Sequence, residues 1–179
     1  MNSKKKGRHE KMLFTSAEAN KLLRKLFDEH TDLLKKERDA CVFKAATVEN
    51  VEDARPEYDY AAVQAKLLKL EKDIRTIKHA ISAFNLSQEI PNTGMTIDQI
   101  LVYIPQLSER KRKLSEMKQK LKKQRDEGYS TNSHFIEYIY TNYDPSQAAM
   151  DYDAVSDELG RIQNALDLVN STVQFEINL

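Results

Sequence analysis

What the chain has little of narrows it first. A single cysteine, Cys41, in 179 residues excludes an internal disulfide and any zinc site that needs two thiolates, and it fits a reducing compartment. Four glycines and four prolines are too few for the many turns of a sandwich or barrel, so long helices with few breaks are expected. No run approaches the roughly 20 apolar residues of a membrane span. The apolar stretch of the opening "MNSKKKGRHEKMLFTS" is only Met12, Leu13 and Phe14, far short of the roughly 7 to 15 residues of a secretory signal's core. Net charge is missing as well: 28 basic and 28 acidic side chains cancel, so no global field steers the chain toward nucleic acid or a membrane. The cytoplasm is the expected location, with no membrane partner.

Catalytic patterns are equally scarce. There is no GxSxG, no phosphate-cradling glycine loop and no pairing of Cys with His. His9, His30, His79 and His134 stand far apart, with no second His or Cys at ligand spacing. The Glu-x-x-His pairs of a di-metal helical bundle do not occur. The sequence therefore predicts no enzyme, no metal site and no cofactor. His79 falls opposite the packed stripe of its helix and is expected to be exposed, while His30 is expected to be a satisfied interior or boundary histidine.

What is present is helical periodicity. After a basic leader over residues 1–11, expected to be flexible, "TSAE" at Thr15 to Glu18 has the form of a capping box with Thr15 as N-cap. The stripe Ala19, Leu22, Leu23, Leu26, Phe27, Leu33 and Leu34 predicts a first helix over 16–42. The acidic "ENVEDARPE" reads as a loop, because Pro56 biases Arg55 away from helix. A second helix starts after Asp59, its N-cap, and Asn85 is placed to end it in the left-handed conformation. Its seam, Tyr60, Val63, Leu67, Leu70, Ile74, Ile77, Ile81 and Phe84, is spaced 3, 4, 3, 4 throughout and is the strongest pattern in the chain.

A third helix opens at Thr96, where Gln99 completes a second capping box and Met95 and Ile100 have staple spacing. It is expected to run to Gly128, with Ile100, Leu107, Leu114 and Leu121 every seven residues and the half-polar set Tyr103, Arg110, Met117 and Gln124 between them. Pro105 predicts a kink near Tyr103 or a break. The fourth helix, 147–171, repeats the 3, 4 spacing through Tyr152, Val155, Leu159, Ile162, Leu166, Val169 and on to Val173. Three short extended pieces are expected: "CVFKAATV" near 41–51, an aromatic stretch over 134–143 as its partner, and the alternating end at 172–178. Together these define a mainly α chain: one helical domain over 12–179, built as a four-helix bundle of two long antiparallel helical hairpins.

Helices two and four begin alike, "DYAAVQAKLLKL" against "DYDAVSDELGRI", so that Tyr60 matches Tyr152, Val63 matches Val155, Leu67 matches Leu159 and Leu70 matches Ile162. Taken with "GMTIDQILVYIPQLSERKRKLSEM" and "YSTNSHFIEYIYTNYD", the chain after Thr15 resembles a family of small helical bacterial proteins of unknown function, some of which carry the label septicolysin. The sequence departs from that family at Ile104 and Pro105 and at Ser171. The resemblance implies the helical fold and no catalytic residues. The label's haemolytic sense has no counterpart in the residues, which offer no long amphipathic β-hairpin or apolar helix to line a pore.

Two clusters remain. "RKRKLSEMKQKLKKQR" carries nine basic residues against one acid, Glu116, and Arg110, Lys111, Lys118, Lys120, Lys122 and Lys123 are its candidate contacts to nucleic acid, with the leader's Lys4, Lys5, Lys6 and Arg8 as possible helpers. The plainer alternative is a solvated helix face. Five of the eight tyrosines lie between Tyr129 and Tyr152 and could stack single-stranded bases or pack on the chain itself. The function expected from the whole is a non-enzymatic interaction or scaffolding protein that self-associates through its heptad seams. A homodimer is favoured, because the seam from Tyr60 to Phe84 is longer than a compact bundle of this size needs. A separate protein partner and a nucleic-acid-binding module on the basic helix are the alternatives.

Overall fold

The structure, a computed structural model, describes residues 11–126 and 136–179. The flexible leader expected over 1–11, with Lys4, Lys5, Lys6, Arg8 and His9, lies outside them apart from its last residue, as do Gly128, Tyr129 and His134. The chain is mainly helical, with three short two-stranded antiparallel sheets among the described residues. Its residues divide into two compact units, Met1–Ser87 with Val169–Leu179, and Gln88–Leu168.

In the first unit, strand β1 (Lys11–Thr15) leads into helix α1 (Ser16–Ala40), and a single turn α2 (Val51–Ala54) precedes helix α3 (Tyr60–Ser87). The Thr15 side chain accepts from the Glu18 N–H while Glu18 accepts from the Thr15 N–H at 2.8 Å, the reciprocal box that the sequence predicts. Asp59 caps α3 by accepting from the Ala62 N–H at 3.0 Å. α1 and α3 are antiparallel: the Glu37 carboxylate accepts from Gln64 at 2.7 Å and from the Tyr58 hydroxyl at 2.9 Å, whereas His30, one turn pair earlier, lies 3.6 Å from Glu71. At the far end Ala19, Ile77 and Ile177 are fully buried, with Phe14, Leu22, Leu23 and Leu26 against them. Ile177 belongs to strand β6 (Gln174–Asn178), which pairs antiparallel with β1 and stacks Phe175 on Phe84 at 4.4 Å. The terminal strand was legible in its alternation. Its partner was not, because "KMLFT" is too short to separate from the leader by pattern.

In the second unit, β2 (Glu89–Ile90) and β3 (Met95–Thr96) form a tight hairpin. Its turn holds Asn92 and Gly94 at φ 61° and 66°, the left-handed region that these two residue types tolerate best. Helix α4 (Ile97–Lys118) starts at the predicted Thr96–Gln99 box and passes through Pro105 without a break. Strands β4 (Lys123–Arg125) and β5 (Tyr138–Tyr140) pair with each other, and helix α5 (Pro145–Thr172) follows, its last turn belonging to the first unit. α4 and α5 are antiparallel: Tyr103 donates to Glu158 at 2.9 Å, while at the other end Tyr143 donates to the Met117 carbonyl at 2.9 Å.

Five expectations need correction. Residues 41–50 hold no strand, and β5 pairs instead with β4. "ENVEDARPE" is not all loop, since Asn50 caps the single turn α2. Asn85 is helical and not left-handed, and α3 continues to Ser87. The third helix stops at Lys118, so Leu121 and Gln124 leave the seam to which their spacing assigned them. His30 is a boundary residue, but its Nε2 is buried without a hydrogen bond. His79 is exposed, as expected.

Candidate functional site

The heptad seams are spent inside the chain. Leu67, Leu70, Ile74, Ile77 and Phe84 on α3 are buried, Val63 and Ile81 half-buried, and only Tyr60 is exposed. On α5, Val155, Leu159, Ile162, Leu166 and Val169 are buried and Tyr152 and Val173 half-buried. α4 buries Ile97, Ile100, Leu107 and Leu114 in the same way. Side chains so enclosed have little surface left to offer a second molecule, so the free apolar surface has to be sought elsewhere.

Single exposed apolar side chains such as Val48, Leu68 and Leu86 are scattered over the helices and loops, whereas several come together just beyond the end of α4. "MKQKLKKQR" consists of strong helix formers, and propensity would carry the helix on. Two tertiary contacts stop it. The Tyr143 hydroxyl donates to the Met117 carbonyl, which also accepts from the Lys120 N–H in the tightened last turn rather than from the Leu121 N–H of a continuing helix. Beyond it the backbone enters the β4–β5 ladder, in register Lys123 with Tyr140, Gln124 with Ile139 and Arg125 with Tyr138. All six ladder residues are exposed, Tyr138 to 44 %, Ile139 to 56 % and Tyr140 to 62 %. Leu121 and Ile136, which flank the strands, are exposed too. A two-stranded ribbon wetted on both faces is marginal by itself, and its run of exposed large apolar side chains makes it the candidate surface.

The pleat gives the ribbon two different faces. Opposed residues share a face, so Lys123, Arg125, Tyr138 and Tyr140 lie on one side, and Gln124 and Ile139 on the other. The Lys123 ammonium sits 4.0 Å from the centre of the Tyr138 ring and 5.6 Å from that of Tyr140, a cation–π arrangement that holds both rings beside one charge.

The six candidate nucleic-acid contacts are not a single cationic face. Lys118 and Lys111 cover the Tyr152 ring at 3.3 and 5.6 Å. Lys122 pairs with Asp144 at 3.3 Å, and that carboxyl is held below its usual range first by the Ser146 N–H and then by Lys122. Lys123 belongs to the tyrosine pair, whereas Arg110 and Lys120 are exposed. Arg112, which was not among the six, bridges Glu109 at 2.6 Å and Glu116 at 2.7 Å, so part of the basic run is neutralised within its own helix. The tyrosine group that includes Tyr138 and Tyr140 was legible in sequence; Ile136, Ile139 and the strand pairing that sets the two rings beside Lys123 were missed. Their signal was present in the alternation of "YIY", but its basic partner strand was hidden inside a helical pattern.

Among the described residues no group of three or more His, Cys, Asp or Glu could hold a metal ion, and no helix is long and apolar enough to cross a membrane. No family model matches the chain, and no curated protein does. Its fold is similar to that of a functionally unknown conserved protein from Corynebacterium diphtheriae, with a TM-score of 0.55 and 15 % identity over 92 % of this chain and 99 % of that one.

Proposed function

We propose that this chain is a non-enzymatic, cytoplasmic interaction protein that self-associates, with the β4–β5 ribbon as its working surface. The same proposal takes the two helical hairpins together as a four-helix bundle and keeps the kinship with the septicolysin-labelled family of small helical proteins. One observation carries the reading: the seams that the sequence offers for association are buried, while Leu121, Ile136, Tyr138, Ile139 and Tyr140 stay exposed around one short ribbon. Association through α3 would have to open a packed interior. Association through the ribbon costs no such disruption. Light scattering over a concentration series tests the reading, with a dimer mass expected at high micromolar concentration and a persistent monomer overturning it.

A second reading has its own support. Lys123 and Arg125 share a face with Tyr138 and Tyr140, and exposed aromatics beside cations are the elements of a surface that stacks single-stranded bases. Fluorescence anisotropy with a labelled single-stranded oligonucleotide measures it. Binding that weakens steeply with salt and is lost in Tyr138→Ala/Tyr140→Ala supports this second reading; no binding at low salt removes it.

A further inference from the structure

The ladder bonds of the ribbon fix which edge is open. The Asp126 N–H donates to the Glu137 carbonyl at 3.0 Å, and the Thr141 N–H donates to the Lys122 carbonyl at 3.3 Å. Glu137 and Thr141 therefore turn their backbone groups toward β4, and by the alternation of an antiparallel pair Ile139 does the same. The N–H and C=O groups of Tyr138 and Tyr140 then point to the outer edge, with which nothing pairs among the described residues. The same alternation sends the backbone groups of Lys123 and Arg125 to the outer edge of β4.

The two edges differ in charge. Were two copies to join β4 to β4 about a two-fold axis at Gln124, Lys123 of each would stand opposite Arg125 of the other, and like charges directly opposed are unfavourable; Lys122 would meet Asp126, but its ammonium is already paired with Asp144. This is the usual cationic protection of an edge strand. β5 carries no such guard. About a two-fold axis at Ile139, Tyr138 meets Tyr140 of the second copy and Glu137 meets Thr141, so the register opposes no like charges.

The geometry points to the β5 edge as a homodimer seam. Two copies pair β5 antiparallel to make a four-stranded sheet, β4–β5 of one continued by β5–β4 of the other, and Tyr138 and Tyr140 of each exchange backbone hydrogen bonds across the axis. Ile139 faces its own counterpart in the close, non-hydrogen-bonded pair, about 4.5 Å between Cα atoms. An isologous contact of this kind closes on itself and stops at two copies, since only the guarded β4 edges remain outermost. The contact is small, so the dimer is weak and dependent on concentration. This inference rests on the self-association proposed above and names its surface.

Two variants test it. Tyr140→Pro removes an outward N–H without removing a bond to β4, and is expected to give a monomer by light scattering at concentrations where the unaltered chain is a dimer, with an unchanged helical melt. Ile139→Cys combined with Cys41→Ser leaves one thiol on the axis, and mild oxidation is expected to convert most of the chain to a disulfide-linked dimer. Gln124→Cys in the same background places its thiols about three strand spacings apart, roughly 14 Å, and is expected not to cross-link. An unaltered chain that stays monomeric at all concentrations overturns self-association and this seam together. A dimer that survives Tyr140→Pro, with no cross-link at Ile139→Cys, overturns the seam while leaving self-association through another surface. A dimer that forms only when an oligonucleotide is added also overturns the seam, in favour of a nucleic-acid bridge.

Discussion

Thr15 closes the N-terminus of α1, and its side chain and backbone both engage Glu18. Removing the cap with Thr15→Ala leaves orphan N–H groups in the first turn and is expected to cost about 1 kcal/mol, read as a lower denaturation midpoint. The Thr15 backbone N–H also holds the Glu18 carboxyl below its usual range. The stability linked to that carboxylate is present above its unfolded value and is lost as pH falls through the lowered folded one. Tyr58 works in the opposite direction. Burial, helped by its hydrogen bond to Glu37, pushes its hydroxyl from the ordinary 10.0 up to about 12. A folded value above the unfolded one means that its contribution is complete below pH 10 and disappears as pH rises toward about 12. A urea midpoint that falls across this alkaline window, and falls less in Tyr58→Phe, is the expected result; identical profiles for the two proteins would discount the Glu37 bond.

At the scale of elements, Leu114 and Leu121 make the sharpest contrast. Both belong to one seven-residue repeat, yet Leu114 is buried on α4 and Leu121 is exposed beyond its end. Leu114→Ala is expected to destabilise by about 2–5 kcal/mol through the cavity it leaves, and Leu121→Ala by no more than about 0.5 kcal/mol. Equal costs in chemical denaturation would mean that the helix continues through Leu121 and that β4 does not form. The ribbon itself contributes little to the interior, so changes there should act on association and leave the melt in place.

Leu70 lies in one compact unit and Ile162 in the other, and both are buried. An aspartate at either site puts an unpaired charge among aliphatic side chains, a cost of several kcal/mol and a large part of the whole stability of a chain this size. Leu70→Asp and Ile162→Asp are each expected to abolish the cooperative helical melt followed by circular dichroism. Loss of only part of the helical signal in either variant would show that the two units fold independently.

The long helices and both capping boxes were determined by local rules: 3, 4 spacing marks the buried stripe of α3 and of α5, and Thr15–Glu18 and Thr96–Gln99 need only their own first turns. The inward face of β6 was legible for the same reason, since alternation is a property of neighbours in sequence. Tertiary structure decided the rest. Helix propensity carries the third helix through Lys123, and it is overruled because Tyr143, more than 20 residues away, takes the Met117 carbonyl and β5 takes the backbone that follows. The partner of β6 and the partner of β5 were hidden because pairing depends on which strands meet in space, about which a short segment says nothing. The candidate surface fell in this second class. Tyr138 and Tyr140 stood out as aromatics in sequence, but only the pairing of β5 with β4 set them beside Lys123 and turned their backbone groups to an open edge.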